Sequence, residues 1–399
     1  MLEYAREMEP LLPSHPDVAL MELALRTAQE SSALGSLLSS GTRISVTDLL
    51  RQMNSYYSNL IEGHNTNPLD IERALKGSYS TAPAKRALQL ESLAHIEVQK
   101  LIEQKLASDS GFNIGSVDFL RWIHYEFYTR MPEEFRLVID QRGRLHKLEP
   151  GELRKRDVIV GHHVPPAHSA LPEFLRRFSE FYNPQRLHGL DRIISAAASH
   201  PRLAWIHPFV DGNGRVTRLF THAFQIRTGL DANGLWTISR GLSRRREGYL
   251  AALGAADQPR AGDLDGRGSL SSHGLSAFCK FFFETALDQI QFMRSVLDIE
   301  GLQKRIAGYV ELRAASRELA PEAAHILRDV TLRGEVPRGD IGRITGKPER
   351  TARRILGQLL NEGLLVSDTP KGVVRIGLPS KAVSYYFPRL YPQGEESDL

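Results

Sequence analysis

The sequence predicts a mainly α-helical protein with one β-hairpin in its middle and a smaller mixed module at its carboxy terminus. Three observations carry this. Apolar residues recur at helical spacing in successive windows from Val18 to Leu319. Upstream of residue 320, Leu145 to Pro166 sets a short β-branched run, Val158-Ile159-Val160, among glycines and prolines. Beyond Pro321 the pattern changes to short helices, a turn and a second hairpin.

The chain has 399 residues, 41% of them hydrophobic and 25% charged, which suffices for an ordinary core without staples. Four regions are expected: helices over 1–110, a core over 111–255, a helical connector over 256–320 and a module over 321–399. Helical spacing covers Val18 to Gln29 and Asp48 to Ile61. Ala84 to Ser108 is rich in good helix formers, and Val117 to Arg130 ends before Pro132. Helices return at Leu171 to Tyr182, at Asp191 to Ala204 and at Arg215 to Thr228, where Gly229 makes a natural cap. Ala255 to Gly274, dense in Gly, Asp, Ser and Arg, reads as a flexible surface loop. Leu275 to Asp298 and Gly301 to Leu319 follow.

The net charge of +4 is small and does not by itself imply a nucleic-acid partner. The single cysteine, Cys279, lies in an apolar helix and reads as a buried hydrophobe. The polar amino terminus has no signal-peptide pattern, and no apolar run approaches the ~18 residues of a membrane helix. A soluble, cytoplasmic protein with no membrane partner is the expectation.

The chemistry concentrates in His207-Pro208-Phe209-Val210-Asp211-Gly212-Asn213-Gly214-Arg215-Val216-Thr217-Arg218. Gly212-Asn213-Gly214 is a turn that opens directly into a helix, and backbone N–H groups at such a start make an anion site. Arg215 and Arg218, three apart, share a helix face just beyond it and suit phosphate oxygens. Asp211 can hold Mg²⁺, which takes one or two carboxylates plus phosphate oxygens. An unperturbed imidazole titrates near neutrality, which suits His207 to act as a general base. A base, a metal ligand, an anion nest and two arginines are what nucleotidyl transfer requires. The Walker pattern is absent, so this is not a P-loop.

The string resembles the Fic family signature H-P-F-x-[DE]-G-N-G-R-x-x-R at every defined position. That resemblance implies a protein adenylyltransferase, with ATP and Mg²⁺, that moves AMP to a hydroxyl of a target protein or of the enzyme itself. His207 would be the base, Asp211 the metal ligand, and Gly212, Asn213, Gly214, Arg215 and Arg218 the phosphate contacts. Upstream, Ser58-Asn59-Leu60-Ile61-Glu62-Gly63 resembles the family's inhibitory motif. It implies that Glu62, one helical turn from Ser58, pairs with Arg218 and blocks productive ATP binding. The hairpin at Val158, Ile159 and Val160 matches the family's target-docking flap, where strand edges register a peptide. His162, His163 and His168 nearby read as loop histidines rather than a metal cluster. Tyr249 would lie near the adenine, and long proteins of this kind are often homodimers.

In the last region, Ala323 to Leu332, Gly339 to Ile344 and Glu349 to Asn361 read as helices, and Val366 to Ile376 as a hairpin. This order is that of a winged helix. Arg350, Arg353 and Arg354 lie on the outer face of its second helix-turn-helix element, where DNA contact is a candidate role. The competing function is therefore a DNA-binding transcriptional regulator whose nucleotide fold serves as a sensor. The intact string, His207 included, favours the enzyme.

Overall fold

Side-chain caps set the starts of several of the helices. The structure, a computed structural model, describes residues 3–139, 145–161 and 163–392. Its helices are α1 (Val18–Gly35), α2 (Ser40–Ile61), α3 (Pro68–Leu75), α4 (Pro83–Ser108), α5 (Val117–Thr129), α6 (Leu171–Phe181), α7 (Gly189–Ile206), α8 (Asn213–Thr228), α9 (Ile238–Arg244), α10 (Arg246–Ala256), α11 (Ser272–Val296), α12 (Ile299–Ala315), α13 (Ala323–Arg333), α14 (Ile341–Thr345), α15 (Glu349–Asn361) and α16 (Ser380–Tyr386). Asp17, Asn67, Ser116, Ser271 and Asp298 accept N–H groups at the starts of α1, α3, α5, α11 and α12, contacts typically worth about 1 kcal/mol each. At the end of α8, Gly229 takes φ 72°, open to glycine at little cost.

The core is mainly helical. α7 and α8 pack against each other, with α4 and α5 against α8 and α1 and α11 against α7. α2 lies across α4 and α9. Phe174, Phe178, Phe209, Phe220 and Phe224 fill the space between. Among the described residues no helix is long and apolar enough to cross a membrane.

The carboxy-terminal elements run α13, α14, α15, then the strands Leu365–Val366 and Arg375–Ile376, paired antiparallel with Leu365 opposite Ile376. They rest on α2. Thr42 Oγ1 donates to the Thr331 carbonyl at 2.9 Å, and Tyr57 donates to the Leu390 carbonyl at 2.9 Å. Gly41 has no side chain because the Gly334 carbonyl lies where one would be; a Cβ there would meet its oxygen at 2.5 Å.

Two expectations change. The regular hairpin is not centred on Val158-Ile159-Val160. Strands earlier in the chain, at Leu137–Ile139 and Leu145–Lys147, pair with Val138 opposite His146. In the expected place, Val160 and His163 exchange both backbone bonds at 2.9 Å around Gly161, which makes a tight turn and no ladder. Pro165 and Pro166 follow at once and offer no N–H to extend it. His162 lies outside the described residues. The loop after α10 is also strapped down. Asp265, buried, accepts from Ala261 N–H, Ser271 Oγ and His273 N–H, and Ser269 and Leu270 donate to the Glu9 carbonyl. The rest of the loop is surface as expected: residues 258–264 and 267–269 are exposed, Leu264 among them.

Candidate active site

The site lies where α7 ends and α8 begins. His207 closes α7 in the left-handed conformation, φ 50° and ψ 62°, which costs a non-glycine residue roughly 1 kcal/mol and turns the chain sharply toward α8. Arg154, buried, holds this corner. Its Nε donates to the His207 carbonyl at 2.8 Å, its Nη2 donates to the Pro166 carbonyl, and its own N–H donates to Pro208. Burial brings this guanidinium down to about 10. Phe209 is fully buried and stacks on His124 with ring centres 4.1 Å apart. Asn213 staples the turn: its Oδ1 accepts from Phe209 N–H and its Nδ2 donates to the Phe209 carbonyl, both at 2.9 Å. The side chain of Asn213 thus shapes the loop.

Gly212 takes φ 78°, and a Cβ on it would lie 2.6 Å from the Tyr128 hydroxyl. Only glycine fits. Tyr128 Oη donates to Asp211 Oδ2 at 2.7 Å and accepts from Arg215 Nη1 at 3.3 Å, and burial pushes this phenol well up, keeping it a neutral donor. The Asp211 carboxylate is half exposed at the mouth. Burial holds the His207 imidazole down to about 4, so the ring is neutral near pH 7 and able to take a proton.

The two arginines point into a charged interior. Arg218 Nε donates to Ser58 Oγ at 2.8 Å, and its Nη2 donates to the Ser58 carbonyl at 3.1 Å and to Glu62 Oε1 at 2.6 Å. Burial acts to raise the Glu62 carboxyl, but Arg218 and Arg215 overcome it and hold the group below its ordinary range. A Cβ on Gly214 would sit 2.3 Å from Glu62 Oε1, so the glycine is what lets Glu62 approach. Arg215 Nη2 lies 2.5 Å from Glu91 Oε1, with its guanidinium 5.4 Å over the Phe127 ring. Burial disfavours this charge, yet Glu91, Tyr128, Asp211 and Glu62 together hold it above its ordinary value.

Residues 116–225 match the model of the Fic/DOC family. The matched segment begins at the cap of α5 and ends within α8, so it contains His207 to Arg218. A protein adenylyltransferase Fic of Nematostella vectensis is 35% identical over 178 residues, 44% of this chain and 37% of that protein. One of Drosophila virilis is 40% identical over 87 residues, 22% of this chain and 18% of its own. The chain thus spans little more than a third of the first relative and less than a fifth of the second. A Fic family protein from Desulfovibrio desulfuricans superposes with TM-score 0.53 at 16% identity, over 92% of this chain and 98% of that one. Fic-1 of C. elegans does so at 0.51 and 16%, over 70% and 73%. At such identities these two structures speak for the fold alone.

The remaining expected residues divide. Ser58 and Glu62 meet the Fic string. Tyr249 belongs to the core: it is buried, and its hydroxyl lies 2.8 Å from His200 Nε2. Burial pushes this phenol up to about 12. Its ring packs edge-on against His200, with ring centres 5.7 Å apart. Ile159 and Val160 are exposed beside the Fic string but on a turn, and Val158 is half-buried. His163 bonds the Trp205 carbonyl and His168 bonds Asp157, so the two serve different anchors. Cys279 is buried, its thiol pushed up to about 12 by burial. Arg350, Arg353 and Arg354 are exposed on α15, 353 paired with Glu349. Sequence reasoning missed Glu91, Tyr128, His124 and Arg154. None stands in a motif, and their roles exist only through contacts across the fold.

Proposed function

We propose that this protein is an adenylyltransferase that moves AMP from ATP to a hydroxyl of a target protein, held in check by Glu62. The observation that carries this is the Arg218 side chain, placed at the start of α8 and bonded to Ser58 and Glu62. The N–H groups of Gly212 to Gly214 and the dipole of α8 would bind phosphate, with Arg215 and, once released, Arg218 on the outer phosphates. His207, neutral, takes the proton of the attacking hydroxyl. The hydroxyl oxygen bonds to the α-phosphorus, the bond to the bridging oxygen breaks, and pyrophosphate leaves. A half-exposed carboxylate beside a phosphate site suits Mg²⁺, so Asp211, oriented by Tyr128, would hold the ion. When bound, Mg²⁺ supplies charge neutralisation to the phosphate oxygens. The turn at Val158 to Val160 would steer the target segment, and a cytoplasmic homodimer is the setting this reading adopts.

The test uses ATP labelled at the α-phosphate, with Mg²⁺, on the wild type, Glu62→Gly and His207→Ala. Label on Glu62→Gly and its loss in the His207→Ala double variant are expected. If Glu62→Gly labels neither itself nor any protein of an added native lysate, the proposal is refuted.

A further inference from the structure

The two arginines of the site are held differently. Arg218 is paired with Glu62, which ends α2 and whose side chain is 34% exposed. Arg215 is paired with Glu91, whose side chain is 5% exposed and which stands inside α4, a helix packed on α2, α5 and α8. The first carboxylate can swing into solvent; the second cannot leave without stranding a buried charge. Glu91 has a further partner. Its Oε2 lies 2.8 Å from His64 Nδ1, and the same nitrogen is 3.3 Å from Arg215 Nη2. His64 sits in the turn after Glu62 and Gly63, its ring 44% exposed at the mouth of the site. The charged groups facing it are Glu91 from α4, Arg215 from α8 and Glu62 at the end of α2. From α10, Arg246 bonds the nearby Ile61 carbonyl.

The geometry points to Glu91 as the positioning residue of Arg215, and to His64 as a titrating cation that strengthens nucleotide binding when protonated. This rests on the reading of Arg215 as a phosphate contact. Glu91 keeps the guanidinium turned toward Tyr128 and Asp211 whether or not Glu62 is in place. A protonated His64 draws on the Glu91 carboxylate, so less of that charge opposes Arg215, and it adds a positive charge beside the start of α8. Both effects favour a polyanion. The bond to Glu91 raises the His64 imidazole above its ordinary 6.5, against burial. Its charge is therefore present at and below 6.5 and is lost only as the pH rises through the higher, folded value. His207, at about 4, does not titrate there.

The experiment measures ATP binding by calorimetry, with KM and kcat for transfer, between about pH 6 and 8. It uses the whole chain carrying Glu62→Gly, alone and with His64→Asn, Glu91→Gln or Glu91→Asp. Over this range the Kd of the Glu62→Gly parent should rise about fivefold, and His64→Asn should flatten that rise. Because ligand and buffer are the same, the titration of ATP itself cancels between the two. Glu91→Gln should weaken ATP about tenfold with kcat within about twofold, and Glu91→Asp should recover part of the loss. By NMR, the His64 ring should titrate at lower pH in Glu91→Gln. Superimposed pH profiles of the parent and His64→Asn overturn the role of His64. Parent-like ATP binding by Glu91→Gln overturns that of Glu91. If Glu91→Gln does not fold, the Kd and kcat of Glu91→Asp decide. A parent that binds ATP yet labels no protein refutes the transferase reading, and the binding curves alone then judge this inference. A parent that binds no ATP overturns both.

Discussion

Replacing Glu62 by Gln keeps the shape of the contact with Arg218 and removes its charge. A charge-assisted hydrogen bond contributes about 1.5–3 kcal/mol. The Glu62 side chain is 34% exposed, so screening reduces this to roughly 1–2 kcal/mol. Both bonds that Arg218 donates to Ser58 remain and keep the guanidinium near its resting place. At about 1.4 kcal/mol per tenfold, the population of released Arg218 should grow roughly 5- to 30-fold. The initial rate of α-phosphate label incorporation should rise by that factor, and thermal stability should fall by the same 1–2 kcal/mol. The joint outcome is diagnostic: activity up, stability down. A Glu62→Gln protein that melts lower but labels no faster refutes the reasoning, since the contact would then be structural only. The pH behaviour follows from the depressed Glu62 carboxyl. Its contribution is present above the ordinary 4.5 and is lost only as the pH falls through its lower folded value. Acidification from about pH 8 to 6 therefore leaves the contact closed.

Other outcomes can be checked on the same protein. His124 and His207, each held to about 4, and His200, held to about 3 by burial, bind protons only when unfolded over the interval below 6.5. Stability should thus fall by several kcal/mol, roughly, as the pH drops from 6.5 toward 4, read as a falling thermal midpoint. Tyr128→Phe removes the donor to Asp211 and should raise the Mg²⁺ needed for half-maximal labelling about tenfold, measured by metal titration. Phe209→Ala empties a fully buried ring site and should cost about 3–5 kcal/mol in denaturant unfolding. Arg350, Arg353 and Arg354 replaced together by Ala should leave labelling unchanged, while any binding of duplex DNA at low salt, followed by anisotropy, should be lost.

Much of the fold was legible where one face of a helix carries the apolar residues. α15 runs from Glu349 to Asn361 as its spacing predicts, because Ala352, Ile355, Leu356 and Leu359 line one buried face. α4 begins one residue before its expected start. α3 was missed although Asn67 caps it and Pro68 opens it; eight residues hold too few apolar positions to show a period. α2 begins eight residues early, at Ser40, because its first turns bury Gly41, Thr42 and Ser45, small residues that carry no apolar signal. The hairpin was misplaced because β-branched residues mark strand propensity, whereas a ladder needs a partner strand, and two prolines deny one after Val160.

The sequence by itself determined the local chemistry of His207 to Arg218. Contiguous residues that form a corner and a helix start keep their order and spacing in any fold that admits them. Tertiary structure decided which charges face the arginines. Glu62 reaches Arg218 across 156 positions of sequence, Tyr128 reaches Asp211 across 83, and Glu91 meets Arg215 from another helix. Side-chain pairs so distant are set by helix packing, because a buried guanidinium must find a carboxylate and only the packed neighbours α2 and α4 can supply one.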